Sequence, residues 1–344
     1  MDKVGKSMEN FKASKDFLKV VYDAFRAHKA VYSKCKILHC DISAADILVT
    51  ADGKGFLSDW DLARTIEAIE SVFNAHSYQG TWRFMSSLLL AAPAKFHTVQ
   101  DDIESFFWVT VHTSMCFLPN SWTSHIKAVM NYIFDEATVG LHPTAPIGGT
   151  GKLCNVSSFQ PLSMPLKIRD NRPLSEFVER SRRLVNSLYI EEGEVRSHIF
   201  YETTERDRER EREIYFAFQK KLDSIPLCDH ALFEPIFIDA LDADDWPVND
   251  SAHDYFQEAV QKSAEKRKAE EMQDYLEALE EGTREKKPYK ALVQLSGNQD
   301  VAIAEDPPTA VHSDRRRSAR IVALSSKSST KAIPGKSKPP RNRR

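Results

Sequence analysis

The sequence predicts a mainly α (α+β) domain in which one short β-hairpin is set among helices, and three patterns carry that expectation. Apolar residues recur at helical spacing in two stretches, a third stretch is apolar on nearly every face, and only residues 47–58 read as paired strands. In the first stretch Phe17, Val21, Ala24, Phe25, Val31 and Tyr32 share one helix face, with Ser14 available as an N-cap. Next, Ile47-Leu48-Val49-Thr50 and Gly55-Phe56-Leu57-Ser58 flank the turn-forming Ala51-Asp52-Gly53-Lys54, which predicts an antiparallel hairpin. Residues 102–118, with Phe106, Phe107, Trp108, Val109, Val111, Met115 and Phe117, are apolar nearly all round and belong in a core. His112 and Cys116 lie one turn apart there without a second pair, so packing rather than metal binding is expected.

From Pro173 a further helix is predicted, because proline suits a first helical turn and Leu174, Phe177, Val178, Leu184, Val185 and Leu188 keep helical spacing. Between these helices, residues 140–165 are rich in Gly, Pro, Ser and Thr and read as an inserted surface loop. Its Gly148-Gly149-Thr150-Gly151-Lys152 superficially matches a phosphate-binding loop. Pro146 where the first glycine is required and Leu153 where Ser or Thr would meet magnesium argue against it. Residues 205–213 alternate acid and base and read as a solvated face or insertion, and the acidic group at 239–245 reads as an exposed turn beside Trp246-Pro247. Residues 256–286, dominated by Ala, Glu, Lys, Arg, Leu and Met, predict a charged helix.

Beyond about residue 295 the apolar pattern fades into Ser, Pro, Lys and Arg, the composition of a disordered tail. The segment 311–344 carries a net charge of +10 and the remainder −13, an acidic body with a basic end. Arg315-Arg316-Arg317 with Arg320, and residues 336–344, fit a nuclear-import signal or a solvated arm better than a nucleic-acid site. The 344 residues, 42% hydrophobic and 28% charged, suffice for a sizeable core. No apolar stretch is long enough to span a bilayer, and no basic region followed by a hydrophobic run opens the chain. The five cysteines, Cys35, Cys40, Cys116, Cys154 and Cys228, lack paired metal-ligand spacing and fit a reducing compartment, cytoplasmic, nuclear or both.

The chemistry concentrates around the hairpin. His39-Cys40-Asp41 is followed by Asp46 before the turn and by Asp59-Trp60-Asp61 after it. A hairpin brings its outer ends together, so Asp41, Asp46 and Asp59 are expected to share one cleft. Three carboxylates in one cleft suit phosphoryl transfer, where hard oxygen ligands hold magnesium against phosphates and one carboxylate orients the attacking hydroxyl. Leu38 to Ser43, Asp59 to Ala63, Gly80-Thr81-Trp82-Arg83-Phe84-Met85-Ser86 and Asp101-Asp102-Ile103-Glu104-Ser105-Phe106-Phe107 together resemble the fungal-type protein kinases, and Asp245-Trp246-Pro247-Val248-Asn249-Asp250 fits the end of that domain.

The resemblance implies a protein-kinase-like C-lobe over residues 14–255, after an N-terminal extension (1–13) and before a charged helical extension (256–295) and a basic tail (296–344). It implies Asp41 as catalytic base, Asp59 and Asp46 as metal ligands, and His39, Thr81 and Asp102 as structural support, with Asp102 bracing the catalytic loop. The cofactors would be ATP and Mg2+. Only 38 residues precede His39, and Gly5 is their single glycine, so the N-lobe with its glycine-rich lid and strand lysine is expected to be absent. Cys40 stands where most kinases have arginine, Asp46 where they have asparagine, and Ser43 where many have lysine. Leu88 replaces the glutamate that ends the activation segment, which removes an ion pair tying it to the lobe.

Three function classes follow: a kinase acting on protein hydroxyls, a catalytically inactive pseudokinase or C-lobe fragment serving as a scaffold, and a nucleic-acid-associated protein working through its tail. The protein substrate is unknown. Apolar residues around the hairpin, uncovered by an N-lobe, are expected to invite a protein partner. Neither nucleic acid nor membrane is the expected partner.

Overall fold

In the computed structural model, which describes residues 5–71, 80–92, 95–139, 146–157, 166–190 and 230–280, the first apolar stripe forms α1 (Ser14–Cys35). Phe17, Val21, Ala24 and Phe25 are buried along it, and Lys36 closes it in the left-handed region, donating its N–H to the Tyr32 carbonyl at 2.9 Å. Ser14 is the first helical residue instead of the cap. Its amide donates to Asp250 Oδ1 (3.0 Å) and its hydroxyl accepts from Asn171 Nδ2 (2.7 Å), so long-range partners take the groups a local cap would use.

The strands are short. β1 (Lys6–Ser7) precedes α1 and β2 (Ile37–Leu38) follows it; β3 (Ile47–Val49) and β4 (Gly55–Leu57) form the hairpin, and β5 (Arg64–Thr65) pairs with β2. In the hairpin Ile47 faces Leu57 and Val49 faces Gly55, the register that alternating burial demands. β1 adds a third strand to it, Ser7 opposite Leu48. Ile47 and Leu57 are buried; Leu48, Val49 and Phe56 are partly exposed.

After α2 (Ile66–Ser71) and α3 (Ser87–Ala91), α4 (Val99–Phe117) runs through the core with every residue except its last buried. A capping box starts it: Asp101 Oδ2 accepts from the Thr98 amide (2.7 Å) and hydroxyl (2.8 Å), while Thr98 receives the amide of Asp101 in turn. α5 (Ile126–Ile133) leads to the pair β6 (Thr138–Val139) and β7 (Pro146–Ile147). α6 (Thr150–Val156) follows, where the sequence pattern had indicated loop; Gly151, Lys152 and Val156 are buried. The physical reason is that these glycines permit close packing, which composition alone does not distinguish from mobility.

α7 (Arg172–Ile190) carries Pro173 in its first turn. α8 (His230–Asp242) places Phe233 and Phe237 against Phe25, with ring centroids 5.6 and 5.2 Å away, and Phe25 meets Phe106 of α4 at 5.4 Å. Asp239 therefore sits on a helix and pairs with Arg180, and Asp245 pairs with Arg172, so these acids serve surface ion pairs. α9 (Tyr255–Glu280) packs its first turns on α4 and α5, and from Glu265 to Asp274 it is exposed. Residues 205–213, Cys228, the end of the charged extension and the basic tail lie outside the described residues. Among those described, no helix is long and apolar enough to cross a membrane.

His112 is held edge-on between Phe84 and Phe134, centroids 5.3 and 5.1 Å away, with Cys116 Sγ 3.9 Å from Nε2 and Nδ1 lacking a hydrogen-bond partner. Burial, with the charges of Arg83 and Lys152, pulls its pKa down to about 3. A histidine lowered in the fold contributes stability above its ordinary value that is lost as pH falls. Replacing it, His112→Leu, should therefore flatten the decline in stability between pH 6 and 4 by about 1 kcal/mol per pH unit, read from urea unfolding at each pH. Parallel pH profiles for the two proteins would refute this.

Candidate active site

The loop joining β2 to β3 owes its shape to one side chain from the core. Asp102 on α4 is fully buried, and its carboxylate accepts the amides of His39 (Oδ2, 2.8 Å) and Cys40 (Oδ1, 3.1 Å). Cys40 adopts φ 65°, a left-handed conformation that turns the chain sharply before Asp41. Two imidazoles complete the set: His28 Nε2 at 2.9 Å and His97 Nε2 at 2.8 Å. A carboxylate only accepts, so both nitrogens carry protons. His28 Nδ1 in turn meets His230 Nε2 at 2.8 Å, which extends the chain to α8. Burial pushes the Asp102 carboxyl upward, but His97 and the hydrogen bonds from both histidines outweigh it and hold the group well below the usual carboxylate range. Burial likewise depresses His97, and Asp102 reverses that so its pKa is raised.

His39 is buried. Its Nε2 donates to the Ser58 carbonyl at 2.9 Å and its ring lies 4.6 Å from that of Trp60, joining the two sides of the hairpin. Burial lowers its pKa, the Ser58 bond opposing. The loop also fixes Asp41, whose Oδ1 accepts from the Thr81 amide (2.7 Å) and hydroxyl (2.8 Å). Gly80 makes that approach possible: its φ is 124°, and a Cβ there would lie 2.9 Å from the Cys40 carbonyl oxygen.

Asp46 is buried, Asp41 half-buried and Asp59 exposed at φ 59°. Ser43 Oγ donates to Asp46 Oδ2 at 2.5 Å, and the Asp46 carbonyl receives both the amide (2.8 Å) and the hydroxyl (2.9 Å) of Ser58. Burial raises the Asp46 pKa to about 6; Ser43 counters, and Asp41 and Asp59 push it further up. The hairpin therefore places Asp46 within electrostatic reach of both Asp41 and Asp59. Among the described residues no group of three or more His, Cys, Asp and Glu could by itself hold a metal ion. Magnesium asks less, since it is typically held by one or two carboxylates together with water and phosphate oxygens.

Other residues that shape the site were not singled out from sequence. His28 interrupts the apolar stripe of α1 at a position in phase with Phe17, Val21, Ala24 and Phe25, a legible sign of a buried polar group. His97 and His230 carry no such signal. Cys40 is buried, and burial raises its thiol far above the ordinary value.

A family model described as Fungal protein kinase matches residues 1–114, so that the first third of the chain is similar to that family. The match contains all four motif runs around His39, Asp59, Gly80 and Asp102. No curated protein matches the chain.

An acid raised in the fold contributes stability at low pH that is lost as pH rises, here between 3.8 and about 6. Asparagine mimics the neutral carboxyl and can still accept from Ser43. Asp46→Asn should thus stabilise the metal-free protein by about 1–2 kcal/mol at pH 7.5, an advantage that fades below pH 4 in thermal unfolding. An unchanged or lowered midpoint at pH 7.5 would contradict it.

Proposed function

We propose that this chain, similar over residues 1–114 to the fungal protein kinases, is a kinase-like module whose cleft transfers the γ-phosphoryl group of ATP to a protein hydroxyl. The observation carrying that reading is the placement of Asp46 at the hairpin within electrostatic reach of Asp41 and Asp59, which add to the burial that raises its pKa to about 6. Near neutral pH Asp46 is largely ionised, and a divalent cation relieves its repulsion from its neighbours. Asp59 and Asp46 would hold magnesium; when bound, Mg-ATP supplies the transferred group and neutralises its charge.

Asp41 is the base. Thr81 fixes its Oδ1 through two hydrogen bonds, which leaves Oδ2 as the oxygen that orients the incoming hydroxyl and takes its proton. Asp102 and His39 keep the loop in register with the hairpin. Cys40, neutral and buried, offers no cationic receptor for a phosphorylated segment, so activity is not switched through that position. The described cysteines are free thiols, in keeping with a cytoplasmic or nuclear location.

A second reading, a kinase-like interaction module without transfer activity, is favoured by a different observation. The described segment ahead of His39 folds as β1, α1 and β2 with Gly5 as its single glycine, and so provides no glycine-rich lid. Calorimetric titration with Mg-ATP, with Asp59→Ala in parallel, separates the two. The kinase reading expects micromolar binding that the substitution weakens at least tenfold; no binding by either protein would leave the interaction module.

A further inference from the structure

The segment that carries Thr81 to Asp41 is bonded from behind as well. Lys152 of α6 stands there, fully buried. Its Nζ donates to the carbonyls of Arg83 (2.7 Å) and Met85 (2.6 Å) and lies over the rings of Trp108 (5.2 Å) and Phe134 (5.9 Å). Burying an ammonium is costly unless its donors are satisfied, so a fully buried lysine implies a specific use for those two bonds. Burial lowers its pKa, while Glu104 and Asp135 act in the opposite direction.

The glycine-rich sequence ahead of Lys152 brings it to this place. A Cβ on Gly151 would lie 1.9 Å from the Tyr132 carbonyl oxygen, so only glycine lets α6 come this close to α5. The Gly148 amide donates to Leu90 O (2.9 Å), the Gly151 amide to Glu136 Oε2 (2.8 Å), and Ser87 Oγ to Gly149 O (2.8 Å). From the other side α4 holds the same segment end, with Asp101 accepting from Ser86 Oγ (2.6 Å) and Glu104 from the Ser87 amide (2.9 Å). Glu104 also receives Trp108 Nε1 at 2.8 Å and the Tyr189 hydroxyl. Leu88, next in the chain, is buried as well.

We propose that Lys152 is a positioning residue: its two carbonyl bonds anchor residues 80–86 to α6 and so keep Thr81 on Asp41. The role in catalysis rests on Asp41 being the base; the anchoring does not.

Hydrogen exchange of the full chain tests it. In the wild type under mild denaturant, the amides of residues 81–86 should open together with those of α6 as one cooperative unit; free exchange at 81–86 while α6 stays protected would overturn the proposal without any substitution. In Lys152→Met the Thr81 amide should exchange at least tenfold faster while α1 and α4 keep their protection. Unchanged exchange at Thr81, or equal loss in every helix, overturns it. If the wild type phosphorylates a mixed serine and threonine peptide library, Lys152→Met should lower kcat at least tenfold and leave the Kd for Mg-ATP within twofold; an unchanged kcat counts against the proposal. A wild type that phosphorylates nothing removes the assignment of Asp41 as base, and the exchange result then decides the anchor alone.

Discussion

Four donors converge on a carboxylate with no exposed surface, and the rest of the site is arranged outward from that point. Asp102 receives the amides of His39 and Cys40 and the imidazoles of His28 and His97. A buried carboxylate is costly to desolvate and becomes tolerable only when well supplied with donors. Here each donor comes from an element that the site needs fixed. The two amides set the sharp turn before Asp41, His28 brings in α1, and His230 behind it brings in α8. The loop is therefore tied to three helices through one side chain, and the position of Asp41 follows from the packing of the core.

Two further constraints complete the arrangement. The hairpin fixes Asp46 and Asp59 relative to Asp41, because the Ile47 to Leu57 register leaves little freedom at its open end. The 80–86 segment reaches Asp41 through Thr81, clasped between α4 and α6. Their exposures are graded, with Asp46 buried, Asp41 half-buried and Asp59 open to solvent. The similarity of residues 1–114 to the fungal protein kinase family agrees with this layout.

Much of this was legible in the sequence, for reasons particular to each element. The hairpin was readable because a Gly53 turn separates two apolar runs, and α1, α4 and α7 because burial imposes a helical period on their apolar residues. The carboxylates were readable because the hairpin geometry follows from the turn. Ser14 was misplaced as a cap because its true partners, Asn171 and Asp250, are distant in sequence. α6 escaped notice because glycine needed for close approach looks, in composition, like glycine needed for flexibility. The histidines behind Asp102 were hidden for a related reason. A buried polar chain is defined by contacts across α1, α4 and α8, and no local periodicity announces it.

The dependence on Asp102 is most directly tested by Asp102→Asn, which keeps the shape but turns one oxygen into a donor facing donors. Urea unfolding at pH 7.5 should show a loss of about 3–5 kcal/mol, the usual consequence of removing one partner from a buried charged cluster. A loss below about 1 kcal/mol would contradict the claim that this carboxylate holds the site together.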